Sequence, residues 1–364
     1  MNNRIIIVGG GPLGVDLARG LEGKADVTLI EKNSHYVHIP AMIRAVIDPS
    51  ILDRSLIPYD NALKHGKVVH GYGVKVDGEG LELADGSRIN GDYIVVATGS
   101  SYATPFKAKG EEGIDGLRTA NKKVHESVLA AKTIAIVGAG AVGTELAGEI
   151  ASAIPDKKIV LISNQNSLFP DLPEKFGRSL LGKLKAMGVE VVLGQSAENL
   201  SSLDTPYAGT LTLSDGQRIE ADLIFPAIGA RANSELLATL PDVEIGRANR
   251  AKVDAWLRPS SKLSNVFAAG DVSENGDLMT IVALAKQVPW LKNVFLNVIN
   301  GKSIESMKPY VPWKKNPPIA VPLGPKKGNT YIFMTLGNWA TSMMKGKDLV
   351  LSNRNKKMGR DLSI

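Results

Sequence analysis

The sequence contains no cysteine in its 364 residues. A chain without thiols has no disulfide framework, no thiolate metal site and no Cys-x-x-Cys redox pair. Any electron carrier that this protein uses is therefore a bound group and not one of its own side chains.

Long apolar runs are also missing. No uninterrupted apolar stretch approaches the ~20 residues that a membrane-spanning helix needs. The first strand pattern begins at Arg4, which leaves no room for a signal peptide, and Asn2 stands where N-myristoylation requires glycine. We therefore expect a protein that is not secreted and that lies in the cytoplasm, either free or peripheral at the cytoplasmic face of a membrane.

Acidic residues are scarce at the C-terminal end. Residues 301–364 contain 12 Lys and Arg against 3 Asp and Glu, a net charge of +9 in a chain of +6, so residues 1–300 are net −3. A basic end of this kind favours an anionic partner, such as an anionic membrane surface, although a solvated basic face is the alternative. The segment lacks the aromatic array of single-strand binders, so no nucleic acid is expected.

Histidine is sparse as well, with five residues in the chain. His35 and His38 lie close together, but no carboxylate or third ligand accompanies them, so we predict no metal site. The polar loop that starts at Lys32 and the helical pattern after Pro40 are instead predicted to lie beside a cofactor. Arg44 is expected to face the cofactor phosphates or the reaction site.

The strongest positive signal is a glycine-rich turn near the N-terminus. Ile5–Val8 predicts a buried parallel strand, and a helical pattern follows. Between them, Gly9, Gly11 and Gly14 have the G-x-G-x-x-G spacing, with Pro12 after the second glycine. The three glycines allow a tight turn, close approach of a pyrophosphate and close packing of the helix on the strand. Free N–H groups at the helix N-terminus favour the pyrophosphate. A second strand ends at Glu31, which accepts from ribose hydroxyls, so a dinucleotide site is predicted.

The same order of strand, glycines, helix and strand recurs 129 residues later, with Gly138, Gly140, Val142 and Gly143 in the turn. Chance rarely gives this whole order twice, so we predict a second dinucleotide-binding unit. Ser163 stands where the first unit has Glu31. A Glu there favours NAD and an Arg favours NADP. The neutral serine favours neither, and we expect both NADH and NADPH to be used.

Three further strand ends complete the pattern. One ends in Thr98-Gly99, a similar one ends at Gly229, and a third ends in Gly270-Asp271. An acid at the last position accepts from a ribityl hydroxyl, which indicates a flavin. Residues 279–288 are predicted to form a helix whose N-terminal N–H groups stabilise the charge of the reduced ring.

Together, residues 4–300 resemble the two-dinucleotide-binding-domain flavoproteins. The early His-Tyr-Val-His-x-Pro-Ala-x-x-Arg44 loop, Glu145, Leu323–Asn329 and Lys345–Leu351 resemble the ferroptosis-suppressor-protein type of apoptosis-inducing-factor homologue, which is related to type II NADH dehydrogenases. The resemblance implies an α/β fold with two Rossmann-like domains of glutathione-reductase-like topology and a small C-terminal α+β segment. It implies that residues 1–105 and 250–305 bind FAD, 106–249 bind NAD(P)H, and 306–364 form a basic domain on the quinone and membrane side.

That resemblance also implies an NAD(P)H:quinone oxidoreductase in which hydride passes to flavin N5 and a quinone such as ubiquinone accepts two electrons. The implied FAD contacts are Gly9, Gly11, Pro12, Gly14, Glu31, Lys32, Arg44, Val74, Thr98, Gly99, Asp271, Met279 and Thr280. The implied NAD(P)H contacts are Gly138, Gly140, Val142, Gly143, Glu145, Ser163 and Gly229.

Two residues are predicted to act in catalysis. Glu145 is expected to position the nicotinamide, with complementation of the helix dipole as the alternative. Lys345 is expected near the quinone end of the flavin, with a solvated lysine as the alternative. Before it lies a run predicted to form an apolar helix face, packed in the core or lying on a membrane, with Met334, Leu336, Trp339, Met343 and Met344.

Two other functions use the same cofactors. A reductase of a small ferredoxin- or rubredoxin-type carrier would also need FAD and a basic docking face. A redox-dependent binding or signalling flavoprotein would need no rapid turnover. The sequence leaves both open, and it leaves open whether the protein is a monomer or a homodimer.

Overall fold

A computed structural model describes residues 3–108, 112–313 and 315–360. Asn2, and with it the expectation about an N-terminal lipid, lies outside these residues. The described strands are, in chain order, β1 (Arg4–Val8), β2 (Asp26–Glu31), β3 (His35–Val37), β4 (Leu56–Pro58), β5 (Lys67–His70), β6 (Gly73–Val76), β7 (Gly80–Leu83), β8 (Arg88–Asn90), β9 (Tyr93–Val96), β10 (Ser100–Ser101), β11 (Thr133–Val137), β12 (Lys158–Ser163), β13 (Val189–Leu193), β14 (Tyr207–Thr212), β15 (Arg218–Pro226), β16 (Arg231–Ala232), β17 (Ala251–Lys252), β18 (Val266–Ala268), β19 (Ser273–Glu274), β20 (Ile319–Leu323), β21 (Lys327–Tyr331) and β22 (Thr335–Leu336).

The described α-helices are α1 (Pro12–Leu21), α2 (Ile39–Ala45), α3 (Ser50–Ser55), α4 (Gly113–Ala130), α5 (Ala141–Ala153), α6 (Glu174–Ala186), α7 (Leu284–Ile299), α8 (Asn338–Thr341) and α9 (Leu351–Lys357). One turn of π-helix, Ser342–Gly346, follows α8 directly. Within the described residues, no helix is both long enough and apolar enough to cross a membrane.

The first sheet is parallel throughout and has the strand order β18-β9-β1-β2-β5. Its central strand β1 is apolar after Arg4, and Ile5–Val8 are buried, as expected for a strand with both faces covered. Helix α1 packs on this sheet through a buried face that includes Leu13, Leu17 and Leu21, which are spaced four residues apart. Helix α7 packs against α1 and completes the same layer.

The second sheet repeats this arrangement with the order β13-β12-β11-β15-β14, in which only β14 runs antiparallel. Its central strand β11 leads through a glycine turn into α5, as β1 leads into α1. The predicted α/β fold with two Rossmann-like units is therefore confirmed. The domain limits at 105, 249 and 305 stay a prediction.

Two loops contain more structure than the sequence pattern indicated. The polar stretch after Lys32 includes β3, which pairs antiparallel with β4. The stretch that begins at Lys67 divides between two sheets, because β5 joins the parallel sheet while β6, β7 and β8 form a separate antiparallel sheet. In both cases the partner strand is distant in sequence, so local periodicity does not reveal the pairing.

The helix predicted over residues 279–288 begins later, at Leu284. Met279 to Ala283 form turns, in which Thr280 N donates to Leu278 O and Ala283 N to Thr280 O. Leu278 and Ile281 are 57% and 45% exposed. Met279 and Val282 are only half-buried, so this stretch buries too little apolar surface to stabilise a further helical turn.

The C-terminal segment forms the sheet β20-β21-β22 followed by α8, the π-helix and α9. Strand β20 lies on α5 at Gly148, where an added Cβ would sit 2.6 Å from Leu323 Cα. Lys183 on α6 donates to Gly328 O at 2.6 Å and fixes the hairpin from the other side. The predicted apolar helix face from Met334 to Met344 is wrong as one helix, because β22, α8 and the π-helix divide it.

Replacing Gly148 with alanine is expected to lower the free energy of unfolding by about 1–3 kcal/mol, because the methyl group overpacks the contact with β20. Gly182 on α6 is the matched control, since an added Cβ there meets nothing within 4 Å. Gly182→Ala should stabilise the protein by about 0.5–1 kcal/mol through helix propensity. Urea unfolding of the two variants measures both effects, and equal shifts would contradict the close approach.

Candidate active site

The first glycine turn leaves an open space at the N-terminus of α1. Gly9 has φ +110°, and a Cβ on it would lie 2.3 Å from Ala97 O. A Cβ on Gly14 would lie 1.9 Å from Gly9 O, whereas one on Gly11 would meet nothing within 4 Å. Pro12 is the first residue of α1 and does not block its free N–H groups. The turn is thus tight where the chain packs and open where a pyrophosphate would approach.

Glu31, at the end of β2, lies beside this turn. Its Oε2 accepts from Gly10 N at 2.6 Å, and its Oε1 accepts from Asn33 N and Nδ2, both at 2.9 Å. These bonds fix the carboxylate and leave lone pairs for ribose hydroxyls. Lys32 follows, with its ammonium 5.8 Å from the centre of the Tyr72 ring. Val74 lies on β6, outside the parallel sheet, and is 39% exposed.

The ends of β9 and β18 bring Thr98, Gly99 and Asp271 to the same edge of the sheet. Ser100 Oγ donates to Asp271 Oδ2 at 2.6 Å. Lys107 Nζ donates to Ser100 O at 2.6 Å and lies 4.0 Å from Asp271 Oδ2, and burial lowers the pKa of this lysine. Sequence reasoning missed Lys107, because no local pattern links it to a strand end.

Buried hydrogen bonds hold the turn before Asp271. Gly270 N donates to Gln287 Oε1 at 2.7 Å, and Gln287 Nε2 donates to Asp277 Oδ2 at 2.9 Å. Asp277 also accepts from Tyr310 Oη and from Trp313 N. Met279 and Thr280 lie in the turns after Asp277, so the predicted helix N-terminus at these two residues is corrected to Leu284.

The second glycine turn has the same geometry as the first. Gly138 has φ +111°, a Cβ on Gly143 would lie 1.9 Å from Gly138 O, and one on Gly140 would meet nothing within 4 Å. Val142 lies in the first turn of α5. Ser163 ends β12 and accepts at its Oγ from Gln165 N at 3.1 Å.

The chain leaves the two units at neighbouring places. Thr98 Oγ1 donates to Asn233 O at 2.6 Å, and Asn233 N donates to Gly99 O at 3.0 Å. Gly229 has φ +61° and lies just before β16, which pairs with β10. The segment after Thr98-Gly99 and the segment after Gly229 are therefore in contact with each other.

Glu145 and Lys345, the two residues predicted to act in catalysis, are in contact. Lys345 Nζ donates to Glu145 Oε1 at 2.6 Å, and the side chains are 18% and 4% exposed. Burial raises the pKa of Glu145, and the lysine opposes that rise. Lys345 is therefore not a solvated lysine of the tail, and the contact links α5 to the π-helix.

Arg44 forms an ion pair with Glu149, and the expectation that it faces the cofactor phosphates or the reaction site stays a prediction. Its Nε and Nη2 donate to Glu149 Oε2 and Oε1 at 2.9 and 2.8 Å, and Nη1 donates to Lys347 O at 3.3 Å. These bonds occupy the guanidinium group one helical turn from Glu145. Glu149 was missed, although its i,i+4 spacing from Glu145 places both on one face of a helix.

His38 is buried below the C-terminal segment. Its Nε2 donates to Leu349 O at 2.7 Å, and its Nδ1 has no partner among the described residues. Burial lowers the pKa of His38 from its ordinary 6.5 to about 4. The described part of the chain places no group of three or more His, Cys, Asp or Glu side chains where they could hold a metal ion.

Large apolar side chains stand exposed beside this site. They belong to residues 333–344 and are called the apolar patch below: Phe333 (92% exposed), Met334 (66%), Trp339 (76%), Met343 (61%) and Met344 (45%). Met344 precedes Lys345 directly. Leu336, the remaining member of the predicted apolar face, is half-buried.

Two largely parallel sheets, each with a glycine turn between its central strand and a helix, are typical of a pyridine-nucleotide-dependent flavoprotein. Residues 3–288 match the family model described as pyridine nucleotide-disulphide oxidoreductase. The chain belongs to this family.

Known relatives cover almost the whole chain. Apoptosis-inducing factor homolog A of Dictyostelium discoideum is 30% identical over 372 residues, which is 96% of this chain and 90% of that protein. Ferroptosis suppressor protein 1 of Xenopus laevis is 26% identical and covers 99% of this chain and 96% of that protein. A solved NAD-dependent persulfide reductase from A. fulgidus superposes with a TM-score of 0.63 at 19% identity. That match covers 92% of this chain but 63% of the solved one, and it shows the fold alone.

The cofactors of the family are FAD and NAD(P)H, and the residues present fit both. The spaces at Gly11 and Gly140 are open to a pyrophosphate, each at a helix N-terminus where N–H groups are free. Glu31 and Asp271 stand at the strand ends where ribose and ribityl hydroxyls need acceptors. The family's redox disulfide has no counterpart here, because the chain has no cysteine.

Acidification from pH 7 to pH 4 is expected to cost the folded state about 3 kcal/mol at His38. In the unfolded chain His38 takes up a proton near pH 6.5, but in the folded chain only near pH 4. The free energy of unfolding therefore decreases as the pH is lowered from 6.5 to 4. His38→Gln should remove that part of the pH dependence in denaturant unfolding. The exposed His65 serves as control, and the same pH slope in wild type and His38→Gln would contradict the prediction.

Proposed function

We propose that the protein is an NAD(P)H:quinone oxidoreductase of the ferroptosis-suppressor type that works at a membrane surface. The observation that carries the proposal is the buried contact of Glu145 with Lys345. It joins the helix of the NAD(P)H-binding unit to the segment that bears the apolar patch. The similarity to ferroptosis suppressor protein 1 along nearly the whole chain supports the same assignment.

FAD, when bound, supplies the two-electron chemistry, accepting hydride from NAD(P)H at N5 and passing electrons to a quinone. The residues of the chain supply placement and charge. The two glycine turns bind the pyrophosphates, and Glu31 and Asp271 orient the sugar hydroxyls. Glu145, in the first two turns of α5, positions the nicotinamide by accepting a hydrogen bond from its carboxamide.

Lys345 has two roles in this proposal. It holds Glu145 ionised in a buried place, where an unpaired carboxylate would take up a proton. Its Nζ also contacts Ala320 O at 3.3 Å and is partly open to solvent, so it stands at the boundary between the buried helix and the acceptor side. We place the quinone ring on that side, where an ammonium group stabilises the negative charge that a quinone gains on reduction.

The apolar patch is proposed as the surface that meets the membrane. Phe333 and Trp339 are among the most exposed large apolar residues described, and clustered exposure of this kind marks an interaction surface. The segment that bears the patch is basic, since residues 301–364 carry a net +9. Apolar side chains inserted between anionic headgroups, with lysines at the interface, satisfy both features. A quinone dissolved in the bilayer would then reach Lys345 without crossing water.

The reaction is tested by an anaerobic absorbance spectrum of the purified protein. Flavin bands should bleach on addition of NADH and return promptly with a short-chain quinone. Bleaching without return would contradict the quinone assignment and favour a ferredoxin- or rubredoxin-type acceptor. Absence of flavin bands from freshly purified protein that also binds no added FAD would contradict the cofactor assignment at Gly11 and Asp271.

The double variant Phe333→Glu/Trp339→Glu should bind anionic vesicles at least about tenfold more weakly, because each side chain gains ~1.5–3 kcal/mol from burial and 1.4 kcal/mol is a factor of ten. Turnover of a long-chain quinone in those vesicles should fall with binding, while turnover of a water-soluble quinone stays unchanged. Leu203→Glu is the control, since Leu203 is 58% exposed in the connection between β13 and β14, outside the C-terminal segment. Equal sedimentation of all three proteins would exclude the apolar patch as the membrane surface.

A further inference from the structure

Arg44 and Glu149 form a buried ion pair between two parts of the chain that are distant in sequence. Arg44 lies on α2, which follows the first strands of the FAD-binding sheet, and Glu149 lies on α5 of the second unit. The pair is bidentate, with distances of 2.9 and 2.8 Å, and both residues are less than a tenth exposed. Such a pair constrains both distance and orientation, since the guanidinium and carboxylate planes must align.

We propose that Arg44 and Glu149 are positioning residues for Glu145: the pair fixes α5 against α2, and Arg44 supplies the charge that keeps Glu145 ionised. The proposal rests on the NAD(P)H-to-flavin half of the proposed function and on no property of the acceptor. It gives Arg44 a role through its contact with α5, beside the expectation from the sequence that Arg44 faces the cofactor phosphates or the reaction site.

The first support is the spacing on α5. Glu145 and Glu149 are four residues apart, so their side chains lie on one face, and both are buried. Two carboxylates this close in a dry environment disfavour each other's ionisation. Burial raises the pKa of Glu145 and Glu149 adds to the rise, whereas Lys345 and Arg44 oppose it. Each carboxylate therefore has its own cation, one from α2 and one from the π-helix.

The second support is the charge on the elements packed against α5. Strands β11 and β20 carry no ionisable side chain, and β12 carries only the exposed Lys158 at its start. Helix α2 contributes only Arg44, and the π-helix contributes only Lys345. Besides burial, the charges that shift the pKa of Glu145 are those of Lys345, Glu149 and Arg44.

The third support is the backbone contact that Arg44 makes to the C-terminal segment. Its Nη1 donates to Lys347 O, two residues after Lys345. One guanidinium group therefore touches α5 and the segment that carries the lysine partner of Glu145. Movement of α2 would therefore affect both α5, which carries Glu145, and the segment that carries Lys345.

The test uses the FAD-loaded protein, reduced anaerobically by NADH in stopped flow between pH 5 and 9, with no quinone present. Arg44→Met should shift the acid limb of the reduction rate upward by about one pH unit, because Glu149 then disfavours ionisation of Glu145. Glu149→Gln should shift it downward, because Arg44 then acts on Glu145 without a competing carboxylate. The neutral pair Arg44→Met/Glu149→Gln should return the midpoint close to that of wild type.

Arg44→Lys separates geometry from charge and remains informative where a single neutral variant does not fold. It keeps the positive charge but loses the bidentate contact, so its pH midpoint should match wild type while NAD⁺ binds several-fold more weakly in calorimetry. Arg54→Met is the matched control, because Arg54 also joins the first unit to the C-terminal segment, through Asp348, but its side chain is 40% exposed. Its pH profile and NAD⁺ affinity should be those of wild type.

If the pH midpoint of flavin reduction shifts in the same direction in Arg44→Met and in Glu149→Gln, the electrostatic role is overturned. Loss of folding or packing alone would shift the midpoints of both variants in one direction. Wild-type NAD⁺ affinity in Arg44→Lys would overturn the positioning role. A wild-type protein whose flavin is not reduced by NADH would instead contradict the proposed function. The NAD⁺ affinities still test the pair in that case, because calorimetry requires no turnover.

Discussion

Two carboxylates buried on one face of α5 impose the constraint on which the site depends. A buried charge is stable only when it is paired. The cations that pair with Glu145 and Glu149 come from opposite ends of the chain. Lys345 comes from the C-terminal segment and Arg44 from the helix after the FAD-binding strands. These two pairs join α5 of the second nucleotide unit to the π-helix of the C-terminal segment and to α2.

Close backbone approach makes this arrangement possible. Gly14 and Gly143 let each helix lie against its own turn, and Gly148 lets β20 lie directly on α5. The same helix thus carries a nucleotide turn at its start, two buried acids in its middle and a hairpin on its back. These features share one helix, so the C-terminal segment contacts the same element that begins at the second glycine turn.

The sequence predicted the parts of the site that depend on local order. A strand, a glycine turn and a helix are contiguous, and parallel strands bring their carboxyl ends to one edge, so spacing could predict Gly11, Gly140, Glu31 and Asp271 as cofactor contacts. The helix start at Met279 was wrong because apolar spacing does not reveal which side faces solvent. Lys107 was missed because its contact with Ser100 depends on a turn that no pattern marks.

What the sequence determined by itself is the repeated α/β unit, the two cofactors that follow from it and the absence of thiol chemistry, since each depends on residue type and short spacing. Only the tertiary structure decided which charges meet. Arg44 pairs with Glu149 across 105 residues and Lys345 with Glu145 across 200. Such pairs follow from how helices and hairpins pack, and burial, which makes them strong and specific, is a property of the folded chain alone.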